Sequence, residues 1–228
     1  NFSYIFPVVL SWKSKSYSVK QVLDTWNIGA GDVVFVDDNP MELAEVKATF
    51  PDIECVLFPT DLEQLRKMFE KPSATEEDAL RLDSIRNQVE FQRELKEKGQ
   101  DLLNHIGAEI TFSYDKNPSD PRPLELINKA NQFNLNGKRY TEQEWNSYLS
   151  DPSTSMLVVS YKDKYGPLGK VAVLTARCDD DEDPFLIESW VMSCRAFGRK
   201  SEYATVAEAR RKFTDIIYDF HPTPKNLA

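Results

Sequence analysis

The stretch Val33-Val34-Phe35-Val36-Asp37-Asp38-Asn39-Pro40 decides the fold. Three valines and a phenylalanine run without polar alternation, which predicts a strand buried on both faces. Two carboxylates, Asp37 and Asp38, stand where that strand must end. Asn39 can cap the next helix, Pro40 suits its first turn, and Glu42 takes the place of a capping-box partner. Met41, Leu43, Ala44 and Val46 supply apolar positions to pack that helix on a sheet. Ligands of open α/β sheets bind outside the carboxyl ends of the strands, where these carboxylates lie. Adjacent carboxylates repel, and a hard cation such as Mg²⁺ relieves the repulsion. The alternative is that one or both only cap the helix.

Working outward, Tyr4–Leu10 reads as a strand in which Pro7 marks a bend or an edge. Val19, Val22, Leu23 and Trp26 fall at helical spacing, and Asn27-Ile28-Gly29 forms the helix exit. After the helix that ends near Phe50 come a strand at Ile53–Phe58 and a short helix at Leu62–Phe69. This β-α-β-α order predicts a parallel sheet with right-handed crossovers. About three strands are too few for a free-standing doubly wound domain. The chain also opens inside a strand, without a Met, so further strands are expected upstream of Asn1 or on a docking partner.

The 228 residues allow one large domain or two small ones, each with its own core. A net charge of −9 without any Lys/Arg-dense stretch argues against nucleic acid as a partner. The three cysteines, Cys55, Cys178 and Cys194, lack zinc spacing, and their odd number argues against a disulfide framework. A reducing cytoplasm is the expected setting. Neither a transmembrane run nor a signal peptide is legible, so no membrane partner is expected.

Lys71-Pro72-Ser73 breaks the chain, and Thr75 with Glu76, Glu77 and Asp78 starts a helix running to Lys98. Only Leu82, Ile85 and Val89 form an apolar stripe, which predicts a solvent-facing connector. The expected organisation is 1–70, a helical connector at 71–104, and a second domain at 105–228. His105 lacks a visible catalytic partner and reads as a helix-end residue.

The second domain is expected to be α+β. Ile110–Tyr114 reads as a strand, and Asp120-Pro121 caps a helix carrying Leu124, Ile127 and Ala130. Asn136-Gly137 turns the chain, and Thr141 with Glu144 forms a capping box for a second helix. Met156–Tyr161, Val171–Ala176 and Phe185–Cys194 form a meander, with turns at Pro167–Gly169 and at Asp179-Asp180-Asp181. A last helix is expected from Ser201 to Phe220, with Val206, Phe213, Ile216 and Ile217 facing a core.

Trp12-x-x-Lys15 followed by Val-Phe-Val-Asp37-Asp38-Asn39-Pro40-x-Glu42 resembles the second half of a haloacid-dehalogenase (HAD) domain. It is closest to the FkbH-like branch, the HAD subfamily IIIC proteins of methoxymalonyl-type polyketide extender-unit biosynthesis. The second half is similar to the GNAT acyltransferases in its β-α-α-β-β-β-loop-helix order. Asn128-Lys129-Ala130-Asn131-Gln132-Phe133-Asn134 and Ser193-Cys194-Arg195-Ala196-Phe197-Gly198-Arg199 resemble stretches of the FkbH-like C-terminal region.

The resemblance implies that Lys15 neutralises a phosphate, that Asp37 binds Mg²⁺, and that Asp38 is a second ligand or supports the first. Catalytic work would fall to Lys15, Asp37 and Asp38. HAD enzymes attack with an aspartate of an Asp-x-Asp motif, which does not precede Trp12, so the nucleophile is expected upstream of Asn1. Arg195, Phe197, Gly198 and Arg199, with Asn131 and Gln132, would hold a phosphopantetheine arm or coenzyme A. Lys200 departs from the GNAT pattern, where a small residue stands. The polar run from Asn128 to Asn134 serves either a ligand or a helix terminus, and Cys194 is either an acyl-carrying thiolate or apolar filler.

The implied activity moves a glyceryl-type unit from a phosphorylated three-carbon donor to an acyl carrier protein, with dephosphorylation. A Mg²⁺-dependent HAD phosphatase with a GNAT-like specificity domain, and a non-catalytic carrier-protein docking module, are the alternatives.

Overall fold

The structure, a computed structural model, describes residues 5–58, 63, 66, 67, 76–130, 133–178, 184–213, 215–222 and 226. The chain divides into two compact units, Asn1–Ala74 and Thr75–Ala228. Lys71-Pro72-Ser73, Asn131, Gln132, Asp179-Asp180-Asp181 and most of Leu62–Phe69 lie outside the described residues.

The first unit contains α1 (Lys15–Trp26), β1 (Val34–Asp37), α2 (Pro40–Thr49) and β2 (Glu54–Leu57). Ser14 caps α1, and Asn27, left-handed at φ 50°, ends it. β1 and β2 pair in parallel, Val34 opposite Glu54 and Asp37 opposite Leu57, as a β-α-β unit requires. Phe35 and Cys55 face a core with Val19 and Leu23 of α1 and Val46 of α2.

Burial of β1 on both faces is not found. Both helices cover the Phe35 face, and Val36 on the other face is 38 % exposed. Nor do residues 5–10 form the strand expected over Tyr4–Leu10. A strand exists by pairing; no strand among the described residues pairs with this segment, and Val8 and Leu10 are exposed.

The second unit is α+β. Its elements are α3 (Glu76–Lys98), β3 (Glu109–Ser113), α4 (Arg122–Lys129), β4 (Phe133–Asn134), α5 (Glu142–Ser150), β5 (Thr154–Asp163), β6 (Gly166–Arg177), β7 (Phe185–Met192), α6 (Ser201–Lys212) and β8 (Ile216–Tyr218). The mixed sheet runs β3-β5-β6-β7, and the far edge of β7 takes both β4, antiparallel, and β8, parallel.

Period-two alternation divides its core. Met156, Val158, Val173 and Val191 meet Leu126 and Ile127 of α4 and Trp145 and Leu149 of α5. Leu157, Val159, Leu174 and Met192 point the other way, towards Ala209 of α6 and Phe213. Thr141 and Glu144 close the capping box at the start of α5.

Three expectations are corrected here. The β5–β6 turn lies at Lys164-Tyr165, and Pro167–Gly169 belong to β6. Asp163 Oδ1 accepts from the Tyr165 N–H at 2.8 Å, and Gly166 takes φ 118°, a conformation glycine tolerates. The last helix stops at Lys212, and Ile216–Tyr218 pairs with Phe185–Ile187 because a β-branched run gains more on a free sheet edge. Thr205, Ala209 and Phe213 are the buried positions, while Ile217 is exposed. Finally, α3 is more than a solvent-facing connector. It packs on β6 and buries Phe91, which meets Tyr165 edge-on at 5.7 Å.

Arg199 joins these parts. Its Nε donates to Asp163 Oδ2 at 2.7 Å, with both side chains fully buried. Its Nη1 donates to Gln88 of α3 and, at 2.9 Å, to the Arg195 carbonyl. The guanidinium lies 3.9 Å from the centre of the Phe91 ring. Removing one partner of such a pair strands a buried charge, at a cost of about 3–5 kcal/mol. Asp163→Asn keeps the acceptor for Tyr165 and removes the charge, so its unfolding free energy should fall by that amount, read as a lower urea midpoint with the slope unchanged. A midpoint equal to wild type would show that the pair does not hold the unit.

Candidate functional site

In the first unit, the end of β1 and the start of α1 bring Asp37 and Lys15 together. Lys15 directly follows the Ser14 cap, and its Nζ lies 3.0 Å from Asp37 Oδ2. The Asn39 N–H donates to Asp37 Oδ1 at 3.0 Å, and Asn39 Oδ1 accepts from the Met41 N–H to cap α2. The Ser16 N–H donates to Glu45 Oε2 at 3.1 Å, which ties the α1 start to α2. One short turn therefore both starts a helix and aims a carboxylate.

The electrostatics follow from these contacts. The Asn39 N–H and then the Lys15 ammonium hold the Asp37 carboxyl below its ordinary range. Asp37 in turn raises Lys15, with Glu42 and Asp38 adding smaller contributions. Asp37 is nearly covered and Asp38 is exposed. Of the sequence-derived catalytic set, Lys15 and Asp37 are in direct contact, and Asp38 adds its charge from outside.

These residues fit a Mg²⁺ ion in the kind of donor they offer. Each Asp37 oxygen keeps acceptor capacity beyond its one short contact. Mg²⁺ commonly takes one or two carboxylates and completes its octahedron with water and phosphate oxygens. No group of three or more His, Cys, Asp or Glu able to hold a metal occurs among the described residues. Asp37 and Asp38 would thus be the protein's share of the shell.

The Arg195–Lys200 segment, the expected place of a phosphopantetheine arm or coenzyme A, turns its polar groups inward. The N–H groups of Ala196, Phe197 and Arg199 bond to the carbonyls of Ser193, Cys194 and Ala196. Three backbone donors are thereby spent within the turn. Arg195 Nη1 donates to Ser84 Oγ at 2.9 Å, and Arg199 is committed to Asp163. Gly198, at φ 80°, has α3 against it, and a Cβ there would stand 3.3 Å from Phe91. Arg195, Gly198 and Arg199 are therefore packed against the unit's own helix, while Phe197 packs on the core between the sheet and α6.

Asn131 and Gln132, the other residues of that expected site, are outside the described residues. Their neighbours serve the helix terminus. Asn128 exchanges hydrogen bonds with the Tyr140 backbone, and Asn134 bridges the Ala130 carbonyl and the Gly137 N–H.

A second polar cluster, made of Lys138, Tyr140, Arg177 and Glu188, escapes sequence reading. Lys138 Nζ donates to Glu188 Oε1 at 3.1 Å. Burial opposes the Lys138 charge, and Tyr140 and Glu188 outweigh it, so its pKa lies above the ordinary lysine range. No spacing in the chain signals this group, because it depends on strand register.

Among the described residues, no helix is long and apolar enough to cross a membrane. Comparison with family models, curated proteins and solved structures finds no match to this chain.

Asp37 should titrate below its ordinary 3.8, and its ionised form then stabilises the fold above that pH and ceases to do so as pH falls through the lower, folded value. Carboxyl-carbon NMR of Asp37 checks this directly. Lys15→Gln should move the midpoint up but short of 3.8, because the Asn39 N–H remains. A midpoint unmoved by Lys15→Gln would deny the pair any electrostatic coupling.

Proposed function

We propose that the chain belongs to an FkbH-like transferase, and that its first unit handles the phosphate of a phosphorylated three-carbon donor. The observation that carries this reading is the Lys15–Asp37 pair at the carboxyl end of β1, beside the capped start of α2. A lysine suits phosphate as a compact, freely rotating point charge. Lys15 would shift between Asp37 and a phosphate oxygen, so that its charge is available without being left unpaired before the donor binds. Asp37 and Asp38 would hold Mg²⁺, which neutralises charge on the phosphate oxygens when bound. None of the three supplies an attacking group; they stabilise charge that develops elsewhere. In this reading the glyceryl unit passes to the phosphopantetheine thiol of an acyl carrier protein, and the second unit is a GNAT-like domain.

The phosphatase alternative has one specific observation in its favour. The turn at Ala196–Arg199 spends its N–H donors internally, which suits a domain that shapes specificity better than one that grips a pyrophosphate.

The test is binding of 3-phosphoglycerate with Mg²⁺, followed by calorimetry on the full chain. A charge-assisted contact contributes about 1.5–3 kcal/mol, so Lys15→Gln should weaken binding about tenfold or more. Asp37→Asn should remove its Mg²⁺ dependence. Binding that needs neither Mg²⁺ nor Lys15 would reject the phosphate reading.

A further inference from the structure

A single extra residue in β7 creates the feature of interest. Thr175 pairs with Ser189 and Ala176 with Ile187, so Glu188 is passed over in the register. Such a bulge leaves one residue unpaired and re-aims its side chain. The Asn136 amide holds the bulge by donating to the Glu188 carbonyl at 2.7 Å. Glu188 then projects into a cleft of ≈ 320 Å³ whose other walls include Lys138, Tyr140, Gln143, Ser147 and Arg177.

The polar groups there are incompletely matched. Lys138 Nζ at 3.1 Å and Arg177 Nε at 3.7 Å both approach Oε1 of Glu188. Oε2 is buried and has no hydrogen-bond partner. Tyr140 is 8 % exposed, and its hydroxyl, beside the Lys138 ammonium, has no acceptor for its own proton. The neighbouring Lys138 ammonium can only donate, so it offers no acceptor for the phenol proton. Buried groups left in this state are uncommon and mark places where a ligand, ion or water belongs.

We infer that this cleft binds a small zwitterion, a molecule carrying one ammonium and one carboxylate. The empty acceptor on Glu188 takes the ammonium, and the Tyr140 hydroxyl with the Lys138 ammonium takes the carboxylate. A bare cation would face Lys138 and Arg177, and a bare anion would face Glu144, Asp151 and Glu188. Opposite charges on one small ligand satisfy both walls. The cleft volume lies at the lower end of the range for small-molecule sites, which suits an amino-acid-sized occupant.

The inference is independent of the phosphate site, and Asp37→Asn should leave it untouched. Amide NMR of the full chain would be followed during separate titrations with L-alanine and γ-aminobutyrate, a short and a long zwitterion. L-Alaninamide and N-acetyl-L-alanine supply the cation-only and anion-only controls. At least one zwitterion should saturably shift Lys138, Tyr140, Ser147 and Glu188, with both controls weaker by about tenfold or more. Tyr140→Phe, which deletes only the hydroxyl, and Glu188→Gln should each weaken that binding about tenfold. Should a variant lose its folded spectrum, the wild-type preference among the four probes still decides. Shifts from neither zwitterion, equal shifts from all four probes, or unchanged binding in both folded variants would overturn the assignment.

Discussion

A buried guanidinium must find a counter-charge and acceptors from its own chain, and Arg199 finds them in three separate segments. Asp163 at the end of β5 supplies the charge, Gln88 on α3 supplies an amide oxygen and the Arg195 carbonyl a third acceptor, which serve Nε and Nη1 and leave Nη2 buried without a partner. The β5–β6 turn, the α3 helix and the segment leading into α6 are thus fixed by one side chain. The ring of Phe91 covers the flat face of the same group. Because breaking one side of such a pair leaves an uncompensated charge, these segments must move together or not at all. This explains why Gly198 is pressed against α3 and why the turn around it keeps its N–H donors inside.

The first unit solves a similar problem at half-exposure. Asp37 ends a strand, receives the N–H of the residue that caps α2, and meets the lysine that begins α1. Three element ends converge on one carboxylate, so local secondary structure and local charge are set by the same atoms. Such a group is poised to exchange partners, because Lys15 is only half covered and its bond to Asp37 is partly solvated.

The far edge of β7 adds a third arrangement. β8 pairs with residues 185–187 and β4 with 191–192, and the bulged Glu188 stands between the two pairings. Splitting the edge between a parallel and an antiparallel strand leaves room for the loop Asn136–Tyr140 to bond to the bulge and deliver Lys138 and Tyr140 beside it.

Much of this was legible in the chain itself wherever the deciding residues are close in sequence. The Asn39 and Thr141 caps, the Asn27 helix exit, the β-α-β order and the α+β meander follow from short-range hydrogen bonding and periodicity. The placement of Asp37 at a strand end was readable for the same reason. Tertiary structure alone decided the rest. Whether Ile216–Tyr218 continues a helix or joins a sheet depends on a vacant edge on β7, and whether Val36 is covered depends on where two helices land. The partners of Arg199 lie 36 and 111 residues away along the chain, so nothing in Arg195-Ala196-Phe197-Gly198-Arg199 could reveal that its last cation is already neutralised. Caps and periodicities act within about one turn of chain, whereas charge burial and strand register are settled only when distant segments meet.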